Sequence, residues 1–267
     1  MSEQVSKKRV LDLEMLIAAT PEQVWKALTD SEELSRWFPL SAKVKPGAGG
    51  TIFLSWGPGW EGEAPISVWE PENRFTWQEG APRHLSLDWT LEARGGKTLV
   101  RVVQSGFDAG TAEDDEFYGS TNYGWKFMLT NLRHYLERHN GTPRQVAWPR
   151  RKVVASRGDA YARLAGANGI FVEDASRTLK AGANYALRTT TGETFNGRVE
   201  FVSPPRGFCV SVDSLNEALF WLTIEGAQGN CEAQIWLSAY GISQNDVEEF
   251  GRRWAAQLSR IFPEPSA

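Results

Sequence analysis

Along residues 10–39 the spacing of apolar positions changes from that of a strand to that of a helix. Val10 to Ala18 alternates, which predicts a strand. The next stretch, IAATPEQVWKALTDSEELSRWFP, moves to three- and four-residue spacing. Thr20 suits an N-cap, Pro21 the first helical position, and Gln23 the far side of a capping box. Val24, Trp25 and Leu28 supply the apolar face. A second start at Asp30-Ser31-Glu32-Glu33 leads to Leu34, Trp37 and Phe38, and Pro39 stops it. Two short helices therefore follow the first strand.

Alternation then returns. Strands are predicted at Thr51–Trp56, Glu61–Trp69 and Arg74–Glu79, the last with Phe75, Trp77 and Glu79 on one face. Leu85, Leu87, Trp89 and Leu91 share a face of the next strand, and Val100, Val102 and Gln104 a face of Thr98–Ser105. A long helix runs from about Asp114 to Arg138. It carries Phe117, Thr121, Gly124, Trp125, Met128, Leu132 and Leu136 at helical spacing. The acidic run before it complements the helix dipole.

HNGTPRQVAWPRR, residues 139–151, has the Gly and Pro content of a connector. Beyond it the order of elements repeats. A short strand at Arg151–Ser156 precedes a helix in which Tyr161 and Leu164 take the places of Trp25 and Leu28. Strands follow at Asn184–Thr190, Thr194–Ser203, Gly207–Asp213, Ala218–Glu225 and Cys231–Ala239, then a helix from about Asn245 to Phe262. The chain thus reads as two domains, 1–140 and a degenerate second copy at 141–267. The inward face of the last strand in the second copy, Ala233, Ile235 and Leu237, has no counterpart to Gln104. That copy is expected to pack solid or to bind nothing polar, as a scaffold or dimerisation half, leaving the ligand site to the first.

Composition narrows the chemistry. A net charge of −4 gives no footprint for nucleic acid or an anionic membrane. No run of 18 apolar residues predicts a membrane helix, and no apolar segment follows the basic residues of MSEQVSKKRVLDLEM to make a signal peptide. Cys209 and Cys231 are too few for a disulfide framework or a metal knuckle, so buried thiols in a cytoplasmic protein are expected. Twelve tryptophans are many for this length, and point to deep aromatic interiors or cavities.

Gly57-Pro58-Gly59-Trp60-Glu61-Gly62 spells a dinucleotide fingerprint, but Pro58 lacks an amide hydrogen and a strand follows where a helix is needed. It is read as a hairpin loop. His84, His134 and His139 have no ligand spacing, and neither a nucleophile elbow nor a Cys–His arrangement occurs. No metal, cofactor or catalytic residue is assigned.

In combination, TPEQVWKALTDSEELSRWF, GGTIF, VWEPENRFTW, TLVRVVQSGF and GWKFMLTNLRHYL resemble the family of homologues of the heat-shock protein 90 ATPase activator, within the SRPBCC or START-like superfamily. The resemblance covers about residues 10–138. It implies an α+β helix-grip fold, an antiparallel sheet around a long C-terminal helix, here in two tandem copies. It also implies a cavity between sheet and helix with the helical hairpin at one end.

On that fold, alternation nominates Trp25, Trp37, Phe53, Trp77, Trp89, Trp125 and Met128 to line the cavity of the first copy, with Glu79 and Gln104 as polar orienters. Trp25 and Trp37 are alternatively core anchors that hold the hairpin down. Glu79 is alternatively a solvated strand end, and Gln104 a partner for a neighbouring loop. The function expected is binding of a small, largely apolar molecule. The alternatives are a protein-interaction module, chaperone-linked or homodimerising, and an enzyme of the cyclase or hydrolase kind with Glu79 as its starting point.

Overall fold

The computed structural model describes residues 8–264 apart from 81–82 and 228. The first seven residues of the segment read for a leader lie outside that range. The chain divides into two compact units, Met1–Thr142 and Pro143–Ala267.

The first unit opens with strand β1 (Arg9–Ile17) and the two short helices α1 (Pro21–Thr29) and α2 (Ser31–Ser35). Six strands follow: β2 (Ser41–Lys45), β3 (Thr51–Ser55), β4 (Glu61–Glu70), β5 (Arg74–Gln78), β6 (Ser86–Arg94) and β7 (Lys97–Phe107). The long helix α3 (Ala112–Arg138) closes it. All seven strands form one antiparallel sheet, in the order β1-β7-β6-β5-β4-β3-β2. This is the helix-grip arrangement. The Gly57–Trp60 segment is the β3–β4 hairpin loop, closed by Trp56 N–H donating to the Trp60 carbonyl at 2.8 Å.

Local chemistry accounts for the helix starts. The Thr20 hydroxyl accepts from the Gln23 amide at 3.3 Å, and the Gln23 side chain accepts from the Thr20 amide at 2.9 Å. Asp30 ends α1 and caps α2, accepting from Glu32 and Glu33. At α3 Thr111 and Asp114 form a second capping box, so the helix starts two residues earlier than its acidic run suggests.

The hairpin is fastened to the grip at two points. Trp37, fully buried, donates its indole N–H to the Ala27 carbonyl at 2.8 Å, while the Asn131 amide of α3 donates to the Trp37 carbonyl. Beside it, Glu33 is a buried carboxylate whose partners converge from three elements. Lys26 of α1 lies at 3.0 Å, Arg36 at 2.8 Å, and the Tyr135 hydroxyl of α3 donates to it at 2.5 Å. Tyr135 in turn accepts from the Gly141 amide at 3.0 Å. Burial first, and then the bond to Glu33, push the Tyr135 hydroxyl above its ordinary pKa.

Two features escape the sequence pattern. β2 has only Ala42 and Val44 as apolar positions, and its exposed lysines, Lys43 among them, mark an edge strand. In β4 a bulge between Ile66 and Val68 swaps the parity of the strand. Gly62, Ala64 and Ile66 face the helix side before it, and Trp69, opposite Phe75, after it.

The second unit repeats the order with one strand fewer in the meander. Strands β8 (Arg144–Ala147) and β9 (Arg150–Val153) precede helices α4 (Arg157–Ala165) and α5 (Ala175–Thr178). Then come β10 (Asn184–Arg188), β11 (Thr194–Ser203), β12 (Gly207–Val212), β13 (Ala218–Ala227), β14 (Asn230–Tyr240) and helix α6 (Gln244–Ile261). The sheet runs β10-β11-β12-β13-β14-β8, with β9 also on β14. β8 lies where the sequence reads as connector. Tyr161 and Leu164 are buried on α4, and Cys209 and Cys231 are buried. Among the described residues no helix is long and apolar enough to cross a membrane.

Replacing Tyr135 by Phe removes one bond to a buried carboxylate and the acceptor for Gly141. A loss of about 2 kcal/mol is expected on urea denaturation, the usual cost of a hydrogen bond to a charged group.

Candidate functional site

The helix-side face of the first sheet carries a ladder of aromatic rings. Trp25 of α1 meets Trp69 edge-on at 5.1 Å, and Trp69 meets Phe75 at 5.4 Å. Phe75 lies 5.1 Å from Trp77, and Trp77 6.5 Å from Trp89. Trp89 is perpendicular to Trp37 at 6.1 Å and nearly so to Trp125 at 5.4 Å. Phe38 stacks on Trp125 at 5.4 Å and stands perpendicular to Trp56 at 5.3 Å.

The ladder ends in a cavity of about 420 Å³. Its walls are β3 (Ile52, Leu54), the adjoining Trp56, β4 (Gly62, Glu63, Ala64), Trp77 with the Glu79-Gly80 segment, Leu87 of β6, Phe38, and Phe117 and Trp125 of α3; Arg83 completes it. Gly62, Glu63, Glu79 and Gly80 are exposed and form its mouth. The space exists because β4 offers little bulk there. Gly62 lies opposite Leu54 and Ala64 opposite Ile52, so all four share a face. A Cβ built on Gly62 would meet no atom within 4 Å.

Six of the nine sequence-nominated residues fall into two groups. Trp77, Glu79 and Trp125 lie on the cavity wall. Trp25, Trp37 and Trp89 belong to the ladder behind it. Trp25 packs on Trp69, away from the cavity, and Trp37 is a hairpin anchor. The indole N–H of Trp89 is buried and, among the described residues, meets no oxygen or nitrogen partner; rings enclose it.

Phe53 is displaced by parity: its neighbours Ile52 and Leu54 point into the cavity, and Phe53 pairs with Glu63 across the strands. Met128 is half-buried on α3 and off the wall. Gln104 does point inward, buried, but its carboxamide oxygen accepts from the Trp125 indole at 2.7 Å. It positions a wall residue instead of touching the space. Phe38, Trp56, Arg83 and Phe117 were not nominated. Phe117 was visible in the helical spacing of α3, whereas Trp56 and Arg83 border loops with no period to read.

The electrostatics concentrate at the mouth. Arg83 holds its guanidinium 3.7 Å over the Phe117 ring and 3.5 Å from Glu113. Burial raises the Glu79 carboxyl above its ordinary pKa. Solvent still reaches Glu79 at the mouth. His134 and His139 bring their rings to 5.0 Å at the end of α3, yet among the described residues no three metal-ligating groups come together. The arrangement suits enclosure and orientation of a small molecule.

Residues 18–137, nearly all of the unit that holds this cavity, match the profile of the activator of Hsp90 ATPase homolog 1-like proteins. The first unit belongs to that family. Solved structures similar to the chain include the Aha1 dimer of Colwellia psychrerythraea, at 24% identity over 50% of this chain and 99% of that one, TM-score 0.43. Protein MLL2253 of Mesorhizobium loti is 24% identical over 49% of this chain and 99% of its own, TM-score 0.42. DynU16, from the dynemicin biosynthetic locus, is 17% identical over 94% of this chain and 96% of its own, TM-score 0.44. No curated protein matches the chain.

Glu79→Gln tests the strain on the rim carboxyl. An acid whose folded pKa is raised costs nothing below its unfolded pKa, near 4.5 for Glu79, and destabilises above its folded value. The Gln variant is therefore expected to melt slightly higher than the parent at neutral pH. The difference should vanish as pH falls below that unfolded value, as followed by thermal melts across the range.

Proposed function

We propose that the first unit binds a small, largely apolar molecule in the cavity between β3, β4, β5 and α3. The single observation that carries this reading is the open, ring-lined space itself. A volume of about 420 Å³ lies within the range of small-molecule sites. Its apolar walls gain by excluding water, at roughly 25 cal/mol for each Å² they cover. The polar groups at the mouth are few, as befits orientation rather than chemistry.

The second unit serves in this reading as a scaffold. Its strand β11, fourth from the end of the meander like β4, carries Phe195. Phe195 packs 5.9 Å from Trp254 of α6, within a cluster that includes Phe220 and Phe250.

Gly62→Leu tests the site, because the new side chain would enter the cavity beside Leu54 without meeting backbone. Prodan, a neutral naphthalene fluorophore, is expected to bind the parent one-to-one with a blue shift. The variant should melt no lower and bind at least about tenfold more weakly, the equivalent of 1.4 kcal/mol. Absence of saturable binding to the parent, or binding that Gly62→Leu leaves unchanged, would overturn the reading.

A further inference from the structure

We propose that the ligand of this cavity is a flat aromatic molecule bearing a protonated amine, with the amine held at Glu79. The inference rests on the cavity being a ligand site and adds the class of ligand. Two observations carry it, the orientation of the rings and the state of the charges at the mouth.

Phe38, Trp56, Trp77, Phe117 and Trp125 all border the space. Phe38 and Trp125 are within 25° of parallel, and Trp56 is at 89° to Phe38. Such walls present both ring faces and ring edges, and a planar guest meets them in the offset-stacked and edge-on arrangements that aromatic pairs favour. A branched aliphatic guest gains none of that directional contact.

The mouth has an excess of unmatched negative charge. Glu79 is the carboxylate on the cavity side, since Glu63 shares the opposite face of the sheet with Phe53, and the cation beside the mouth, Arg83, is already engaged by the Phe117 ring and Glu113. Glu63 accepts a 3.3 Å hydrogen bond from the Thr51 hydroxyl. The Glu79 carboxylate makes no hydrogen bond or ion pair among the described residues, although protein crowds it enough to disfavour its charge. A partly desolvated carboxylate without a partner gains most from a charged donor. Tryptophan faces nearby add to the attraction for a cation. An anionic ligand would instead meet the Glu79 carboxylate.

Anthracene-methylamine, anthracene-methanol and anthracene-carboxylate share one ring body and differ only in the head group. Fluorescence titration of the full chain near neutral pH is expected to rank them in that order. The amine should bind about tenfold tighter than the alcohol, in keeping with a charge-assisted hydrogen bond. Glu79→Gln should bring the amine down to the alcohol's affinity and leave the alcohol unchanged. Lowering the pH far enough to protonate Glu79 should do the same in the parent, and Gly62→Leu should weaken all three. If the carboxylate binds as tightly as the amine, or Glu79→Gln leaves the ranking intact, the ligand class is wrong and the cavity reading stands. If none of the three binds, both are overturned.

Discussion

The hydrogen bond between the Trp125 indole and the Gln104 carboxamide ties the long helix to the sheet of the first unit at the cavity. Both groups are buried, the bond is 2.7 Å long, and it joins α3 to β7 across the interior. Without it two polar groups would be stranded away from water, at a cost of about 1–3 kcal/mol each. The bond sets the Trp125 ring, on which Phe38 stacks, and Phe38 in turn sets its angle to Trp56. The cavity is bounded by these three rings and by the small residues of β4 that face them. A helix free to slide would close that space, since interiors pack to crystal-like density wherever nothing holds them apart.

The two units show how one topology can end open or filled. In each, a helical pair follows the first strands, a meander follows the pair, and a final helix closes the unit. In the first, β4 presents Gly62 and Ala64 to the interior, and the last helix offers a tryptophan that is hydrogen-bonded. In the second, Phe195, Phe208, Phe220 and Phe250 are all buried, and Trp254 sits among three of them, its indole N–H unmatched among the described residues. Differences of side-chain volume on two similar sheet-and-helix frames therefore separate a ring-lined cavity from a ring-filled interior.

Much of the fold was legible because its signals are local. The Thr20–Gln23 capping box, the Asp30 start and the alternation of Phe75, Trp77 and Glu79 depend on neighbours in sequence. The candidate site was legible only in part, because it depends on parity and on loops. Taking Phe53 as inward puts β3 out by one residue: in TIFLS the Phe53 face also carries the hydroxyls of Thr51 and Ser55, whereas Ile52 and Leu54 make the other face wholly apolar, so the bulk of one ring was weighed above the alternation. The bulge in β4 is silent in sequence, and it brings Trp69 beneath Trp25. Gln104 drew notice as a polar residue on an apolar face, but its partner lies 21 positions away on another element. Alternation identifies an inward group and says nothing of what it will meet.

The most direct measurement is the indole N–H spectrum of protein labelled with nitrogen-15 tryptophan, recorded as prodan is added. If the cavity of the first unit is the binding site, the Trp77 and Trp125 signals move with saturation, and those of Trp236 and Trp254 in the second unit stay in place. Signals that move only in the second unit, or none that move while prodan binds, would contradict the account.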